Sequence, residues 1–194
     1  PLYRAQDISD DGSKNLEEKC ENLSNIPLAY QPGTQFNYSV SLDVLARIIE
    51  VISGKDFHTI LKKEIFEPLE MKDTGFGVKE ENVPKLMSTY GAKDFKDIMN
   101  IGPHVLSETN VNQHNPYNKP ESFQRGGTGL FSTTQDFLSF ARMLLTGKSQ
   151  NGEIILSRNM VDFMKVNRLQ QTQLPLFPGA ATFYGYGYNL SLIH

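Results

Sequence analysis

The sequence predicts a mostly α fold with short β segments, and three observations carry that expectation. Five segments read as helices, with apolar residues at helical spacing or with recognisable start and stop signals. Extended patterns are confined to short pieces, such as Phe36-Asn37-Tyr38-Ser39-Val40 and the Tyr184 to Leu192 stretch. Between Val78 and Ser122 the periodicity weakens and Pro84, Pro103, Pro116 and Pro120 interrupt the chain, so long loops with short strand pieces are expected there.

Residues 1–13 are polar and carry Asp10-Asp11-Gly12, which reads as loop. Asn15 to Leu23 reads as a short helix, with Glu17 and Glu18 placed where the helix dipole favours negative charge. Pro32-Gly33 then signals a turn, because proline presets φ at one turn position and glycine accepts positive φ at the next. Beyond it, Phe36, Tyr38 and Val40 alternate with Gln35, Asn37 and Ser39. Ser41 offers an N-cap hydroxyl to a helix whose apolar positions are Leu42, Val44, Leu45, Ile48, Ile49 and Ile52, with Gly54 as the stop. Asp56 caps the next helix, which carries Phe57, Ile60, Leu61, Ile65 and Phe66 on one face and ends at Pro68-Leu69. These two helices are expected to pair as an antiparallel hairpin, and Met71 to Phe76 reads as an extended exit.

Order returns at Arg125-Gly126-Gly127-Thr128-Gly129, whose glycines allow a tight backbone course. Ser132 or Thr133 caps a helix bearing Phe137, Leu138, Phe140, Ala141, Leu144 and Leu145 and stopped by Gly147. Asn151-Gly152 is a turn dipeptide, and Ser157 caps a last helix with Met160, Val161, Phe163, Met164 and Val166 directed inward. Tyr184 to Leu192 looks like the beginning of a strand.

At 194 residues with 39% hydrophobic and 21% charged content, the chain has the make-up of one ordinary globular domain. Folding at this length buries roughly 70% of the unfolded surface. The formal charge of −3 without a basic block argues against nucleic acid as a partner. No apolar run approaches the roughly 20 residues of a membrane span. Cys20 is the only cysteine, so an internal disulfide and a cysteine-rich metal cluster are excluded, and it reads as a small half-buried helix residue.

Much familiar chemistry is absent. The four histidines, His58, His104, His114 and His194, form no His-Glu-x-x-His pattern, and no metal or other cofactor is expected. Arg125 to Gly129 lacks the Gly-Lys-Ser/Thr ending of a phosphate cradle and reads as a packing turn. No Gly-x-Ser-x-Gly nucleophile elbow occurs. The remaining candidate is Tyr38-Ser39, about one turn ahead of a helix; on local grounds alone Tyr38 reads as packing its ring with the phenol at the surface.

A series of ordered blocks adds to this. Pro27-Leu28-Ala29-Tyr30-Gln31-Pro32-Gly33-Thr34, Phe36-x-Tyr38-Ser39, Leu42-Asp43-Val44-Leu45 and Ile48-Ile49-Glu50-x-x-Ser53-Gly54 come first. Ile65-Phe66-Glu67-Pro68-Leu69-x-Met71-x-Asp73-Thr74, Gly126-Gly127-x-Gly129-Leu130-x-Ser132-Thr133-x-x-Asp136 and Ile155-Leu156-Ser157 follow in order. This series resembles the serine β-lactamase-related family, which includes class C β-lactamases, penicillin-binding carboxypeptidases and β-lactamase-like esterases. The resemblance implies the helical domain of the β-lactamase/transpeptidase-like α+β fold, lacking most of the main sheet. It also implies an acyl-enzyme mechanism on small-molecule ester, amide or β-lactam substrates.

In that family a serine and lysine in Ser-x-x-Lys, a Tyr-Ser-Asn element and a Lys-Thr-Gly or His-x-Gly strand share the work. The resemblance assigns Tyr38 the role of general base and Ser39 a supporting hydrogen bond, although a plain turn hydroxyl is an equal reading of Ser39. A free phenol titrates near pH ~10, so such a base requires nearby ammonium charge. No serine here is followed three positions later by lysine, and neither strand motif occurs. The chain is therefore expected to be a single, largely helical domain over residues 1–194, excised from a larger protein, with about 184–194 beginning a strand of the missing sheet. Alone it should be inactive, and self-association through an exposed apolar face is expected. Val40 stands where β-lactam-directed members have asparagine, and valine cannot donate the amide hydrogen bond, which favours the esterase-like branch. The alternatives are a non-catalytic helical binding or assembly module and a penicillin-binding-type sensor. Family resemblance favours an exported or cell-envelope location.

Overall fold

The computed structural model describes residues 13–34, 40–92, 106–109, 124–166, 184–186 and 191–193. Helix α1 spans Leu16–Ser24, α2 Ser41–Ser53 and α3 Phe57–Leu61, the last running on into a π-helical turn at Lys62–Phe66. A 3₁₀ turn at Glu80–Lys85 precedes strands β1 (Thr89–Ala92) and β2 (Leu106–Thr109). Helices α4 (Thr134–Thr146) and α5 (Arg158–Lys165) follow, then β3 (Tyr184–Tyr186) and β4 (Ser191–Ile193).

Local side-chain chemistry starts most of the helices. Asn15, Asp56, Thr133 and Ser157 each accept the backbone N–H three residues on, satisfying a donor that the first helical turn leaves without a partner. Thr133 rather than Ser132 caps α4; the Ser132 hydroxyl lies 2.8 Å from that of Thr74 instead. Gly54 and Gly147 close α2 and α4 in the left-handed region, at φ +67 and +76. Gly147 is also sterically fixed, since a Cβ there would sit 2.3 Å from the Leu156 carbonyl oxygen.

Helix α2 begins differently from the sequence expectation. Ser41 is its first residue, and the N-cap is Val40, which has no side-chain cap. The Val40 carbonyl already accepts from Asp43 and Val44, so the chain enters the helix turned and Ser41 falls one place too late to cap it. The second helix of the hairpin also departs from a plain α-helix. Its latter half is a π turn in which Glu67 N–H donates to Lys62, a five-residue step, and beyond it Glu70, in the left-handed region at φ +55, ends the segment with Glu70 N–H on Glu67 and Met71 N–H on Phe66. The widened turn brings Phe66, Leu69 and Met71 against Met143 of α4.

Two apolar clusters result. Leu16, Ala46, Phe57 and Phe76 join α1, α2 and α3, while Phe66, Leu69, Met71 and Met143 join the hairpin exit to α4. Leu61 packs against both, so the clusters meet at the π turn. A Glu17–Arg47–Glu50 ion-pair chain spans α1 and α2, and Glu50 also accepts the Phe57 N–H at 3.1 Å. Lys19 of α1 is fully buried, a position that its charge does not announce.

Not every predicted inward face is inward. On α5 only Val161 is buried, whereas Met160, Phe163 and Val166 are exposed and Met164 half-buried, because this short helix touches its neighbours along one narrow line. Leu45, Ile48, Val51 and Ile52 of α2 are exposed too, with Ile52 at 81%. The helix presents small Ala46 to α1 and α3 instead.

Between Val78 and Ser122, the described residues form the 3₁₀ turn and an antiparallel pair running from Thr89↔Thr109 to Ala92↔Leu106, in keeping with loops and short strand pieces. The Tyr184 to Leu192 stretch, read as one strand beginning, instead forms two short antiparallel strands, Tyr184↔Ile193 to Tyr186↔Ser191. Pairing with each other satisfies backbone groups that a lone strand would leave open.

The Asp56 cap generates a test. Side-chain and backbone hydrogen bonds from Thr59 hold its carboxyl below the ordinary 3.8. The unfolded chain therefore takes up the proton first as pH falls, so the charge's contribution is complete above about pH 4 and is lost as pH drops through the folded value. Asp56→Ala is expected to lower unfolding free energy by about 1 kcal/mol at neutral pH. In urea titrations the gap to the wild type should narrow toward pH 3; a gap unchanged by pH would contradict the cap.

Candidate active site

Tyr38 and Ser39 lie outside the described residues; the described site begins at Val40 and the first turn of α2. That turn is gripped by the loop leading into α4. The Asp43 side chain is buried at 4% exposure, and its Oδ1 accepts the Gly127 N–H at 3.1 Å. Beside it, a Cβ on Gly126 would lie 2.1 Å from the Leu42 carbonyl oxygen and 3.0 Å from Ala46 Cβ. Only glycine lets the two backbones approach this closely. Two residues earlier, Gln124 accepts the His58 N–H at 3.0 Å, tying the same loop to α3.

The far end of the loop is held with equal economy. Gly75 and Phe131 exchange two backbone hydrogen bonds of 3.0 and 2.8 Å. Asp136, buried in the first turn of α4, accepts the Asp73 N–H and the Thr74 hydroxyl, both at 2.8 Å. A buried carboxylate accepting such bonds contributes about 1.5–3 kcal/mol for each, several times an exposed ion pair such as Lys62–Glu67. Loop 124–133 is therefore a brace between the mouth of α2 and the exit of the helical hairpin.

On the brace's other flank lies an open cleft of about 810 Å³, lined by His58, Phe66, Met71, Thr74, Phe131 and Thr133 among others. His58 stands edge-on to Phe76 with ring centres 5.8 Å apart. Asp73 accepts from Lys79 and Asn82 at the rim. Burial pushes the Cys20 thiol up, which makes it a poor nucleophile at neutral pH. Among the described residues no group of His, Cys, Asp or Glu could hold a metal ion, and no helix is long and apolar enough to cross a membrane. His104 and His114 lie outside the described residues.

Sequence reading singled out Tyr38-Ser39 and placed Asp43 in a family-like block, but missed the contacts that Asp43 and Gln124 make. A faint signal was present, since Asp43 interrupts the apolar run Leu42-x-Val44-Leu45. The packing-turn reading of Arg125 to Gly129 agrees with the contact of Gly126 on Leu42.

Two adjacent glycines make the close approach testable. Gly126→Ala is expected to destabilise by about 1–3 kcal/mol, the usual penalty of overpacking. Gly127→Ala, whose added Cβ would find its nearest neighbour at 3.8 Å, should stay within about 1 kcal/mol of the wild type. Equal denaturation midpoints for the two variants would refute the contact.

Comparison with known proteins gives this geometry a context. The beta-lactamase family model matches residues 1–193. An uncharacterized protein of Mycobacterium tuberculosis is 32% identical over 173 residues, 88% of this chain and 40% of that protein. Lovastatin esterase of Penicillium rubens is 28% identical over 163 residues, 84% of this chain and 37% of the enzyme. The fold matches EstCE1, a hydrolase with promiscuous acyltransferase activity, with a TM-score of 0.70 at 21% identity, covering 94% of this chain and 47% of EstCE1. The chain thus spans about two-fifths of the length of these curated relatives. Matched along nearly its whole length, the chain belongs to the serine beta-lactamase-related family.

Proposed function

We propose that this chain is the largely helical middle of a longer serine hydrolase that forms an acyl-enzyme on small esters, amides or β-lactams. Tyr38 serves as its general base and Ser39 lends a supporting hydrogen bond. The observation that carries this reading is the family match over residues 1–193, with Tyr38-Ser39 standing directly before the clamped first turn of α2. The chain's share of its relatives, 40% or less, supports an assignment as one part of the machinery. The nucleophile, its lysine and the oxyanion-hole strand belong to the rest of that protein.

Val40 supports the esterase-like branch. An asparagine there would offer an amide to a β-lactam side chain, and the valine offers only a hydrocarbon. The name of the lovastatin esterase points the same way. In the full-length protein, Tyr38→Phe is expected to lower kcat on an activated ester by about 10²–10⁴-fold with KM little changed, as loss of an acid–base group does. A phenylalanine variant that retains wild-type kcat would sink Tyr38 as the base. The isolated chain, incubated with the same ester or a penicillin reporter, should form no covalent adduct by mass spectrometry.

A second reading of the isolated chain rests on α2, whose Leu45, Ile48, Val51 and Ile52 are 50, 48, 66 and 81% exposed. A contiguous apolar stripe of this kind promotes association. Light scattering on the isolated chain should show a molar mass that rises with concentration. A constant monomer mass across a wide range would dismiss this reading.

A further inference from the structure

We infer that the open cleft beside loop 124–133 is a binding site for a small monocarboxylate with an apolar body, and that His58, Lys72 and Lys85 receive its carboxylate. No covalent step enters this binding, and among the described residues nothing of α2 lines the cleft, so it does not depend on the acyl-enzyme reading above. At about 810 Å³ the space lies in the range of small-molecule sites, where an apolar wall supplies contact and a few polar groups set orientation. Val78, Leu86 and Phe131 line it half-buried, so each still presents hydrocarbon to whatever enters.

The charges along the cleft select the sign of the ligand. Asp73 is committed to Lys79 at 3.1 Å and to Asn82 at 3.0 Å, and Glu67 has Lys62 within 3.9 Å. Glu70 accepts the Asn151 amide at 3.1 Å. Lys72 and Lys85, by contrast, pair with no carboxylate among the described residues; Lys85 donates to the Asn82 amide oxygen at 2.9 Å. With four lysines against three acidic groups along the described lining, the excess is a single positive charge, which a monoanion matches and a dianion exceeds.

His58 supplies the directional contact. Its backbone N–H is fixed on Gln124 at 3.0 Å and its ring stands edge-on to Phe76, so the imidazole is held in one orientation. Its Nε2 lies against the cleft wall, where a Cβ on Gly75 would sit 3.6 Å from it. Neither ring nitrogen has a hydrogen-bond partner among the described residues, and an imidazole in any protonation state keeps at least one N–H to give. A carboxylate oxygen is the acceptor that such a donor binds most strongly.

The test is an NMR titration of the full-length protein with phenylbutyrate, phenylbutanol and phenylbutylamine, which share a body and differ in charge. Phenylbutyrate is expected to bind with a Kd of about 1–5 mM, as suits a ligand of this size, and the alcohol and amine about tenfold or more weaker. His58→Phe keeps the ring contact with Phe76 and removes the N–H; it should weaken the acid about tenfold and leave the alcohol unchanged. Lys72→Gln and Lys85→Gln together, at exposed positions that leave the fold intact, should weaken the acid about three- to fivefold. Equal binding of acid and alcohol, or tighter binding of the amine, overturns the carboxylate assignment. Acid binding at wild-type strength in both variants overturns the cleft as its site, and so does a wild-type protein that binds no acid up to about 20 mM.

Discussion

The Asp136 carboxylate is the contact on which the helical body depends. It sits in the first turn of α4, which Thr133 caps, and from there takes the Asp73 N–H and the Thr74 hydroxyl of the hairpin exit. Those bonds hold Thr74 and Gly75 where Gly75 can pair with Phe131, and Phe131 begins the run into α4. The apolar cluster of Phe66, Leu69, Met71 and Met143 lies behind this junction. Polar and apolar terms therefore cooperate: the cluster supplies non-directional attraction, and one buried acceptor selects the register in which the two halves meet.

Asp43 repeats the device at the other end of the loop. Both aspartates occupy first turns of helices, and both direct the carboxylate at a distant backbone N–H. A loop held at both ends in this way is a stiff element despite its glycines. An irregular segment keeps a fixed course only when contacts of this kind hold it. The surface ion pairs, such as Arg158–Asp162, add little by comparison.

What the sequence disclosed follows the range of the interactions. The caps at Asp56 and Ser157, the Ser132-Thr133 pair of which Thr133 is the cap, and the stops at Gly54 and Gly147 act within one turn, so they were readable from neighbouring residues. Asp43 and Asp136 were not, because their partners lie 84 and 63 positions away and an exposed helix aspartate looks the same on the page. The exposed side of α2 was hidden for a related reason. Periodicity shows that a helix has an apolar stripe, and it does not show which neighbour covers it. The family was legible in an ordered block series, whereas the local pattern around Tyr38 alone read as a packed tyrosine.

The π turn at Lys62–Phe66 works as a phase shifter. It inserts an extra residue into the helical repeat, and the segment then leaves the helix at Glu70, in the left-handed region at φ +55. Upstream of the turn, Phe57 faces α1 and α2; Phe66 at its end and Leu69 and Met71 beyond it face α4. One continuous segment thus serves two cores that lie in different directions. A homologue shorter by a single residue here would keep both hydrophobic patterns and still lose the ability to satisfy both cores at once, so chain length at this point is as much a determinant of the fold as residue type.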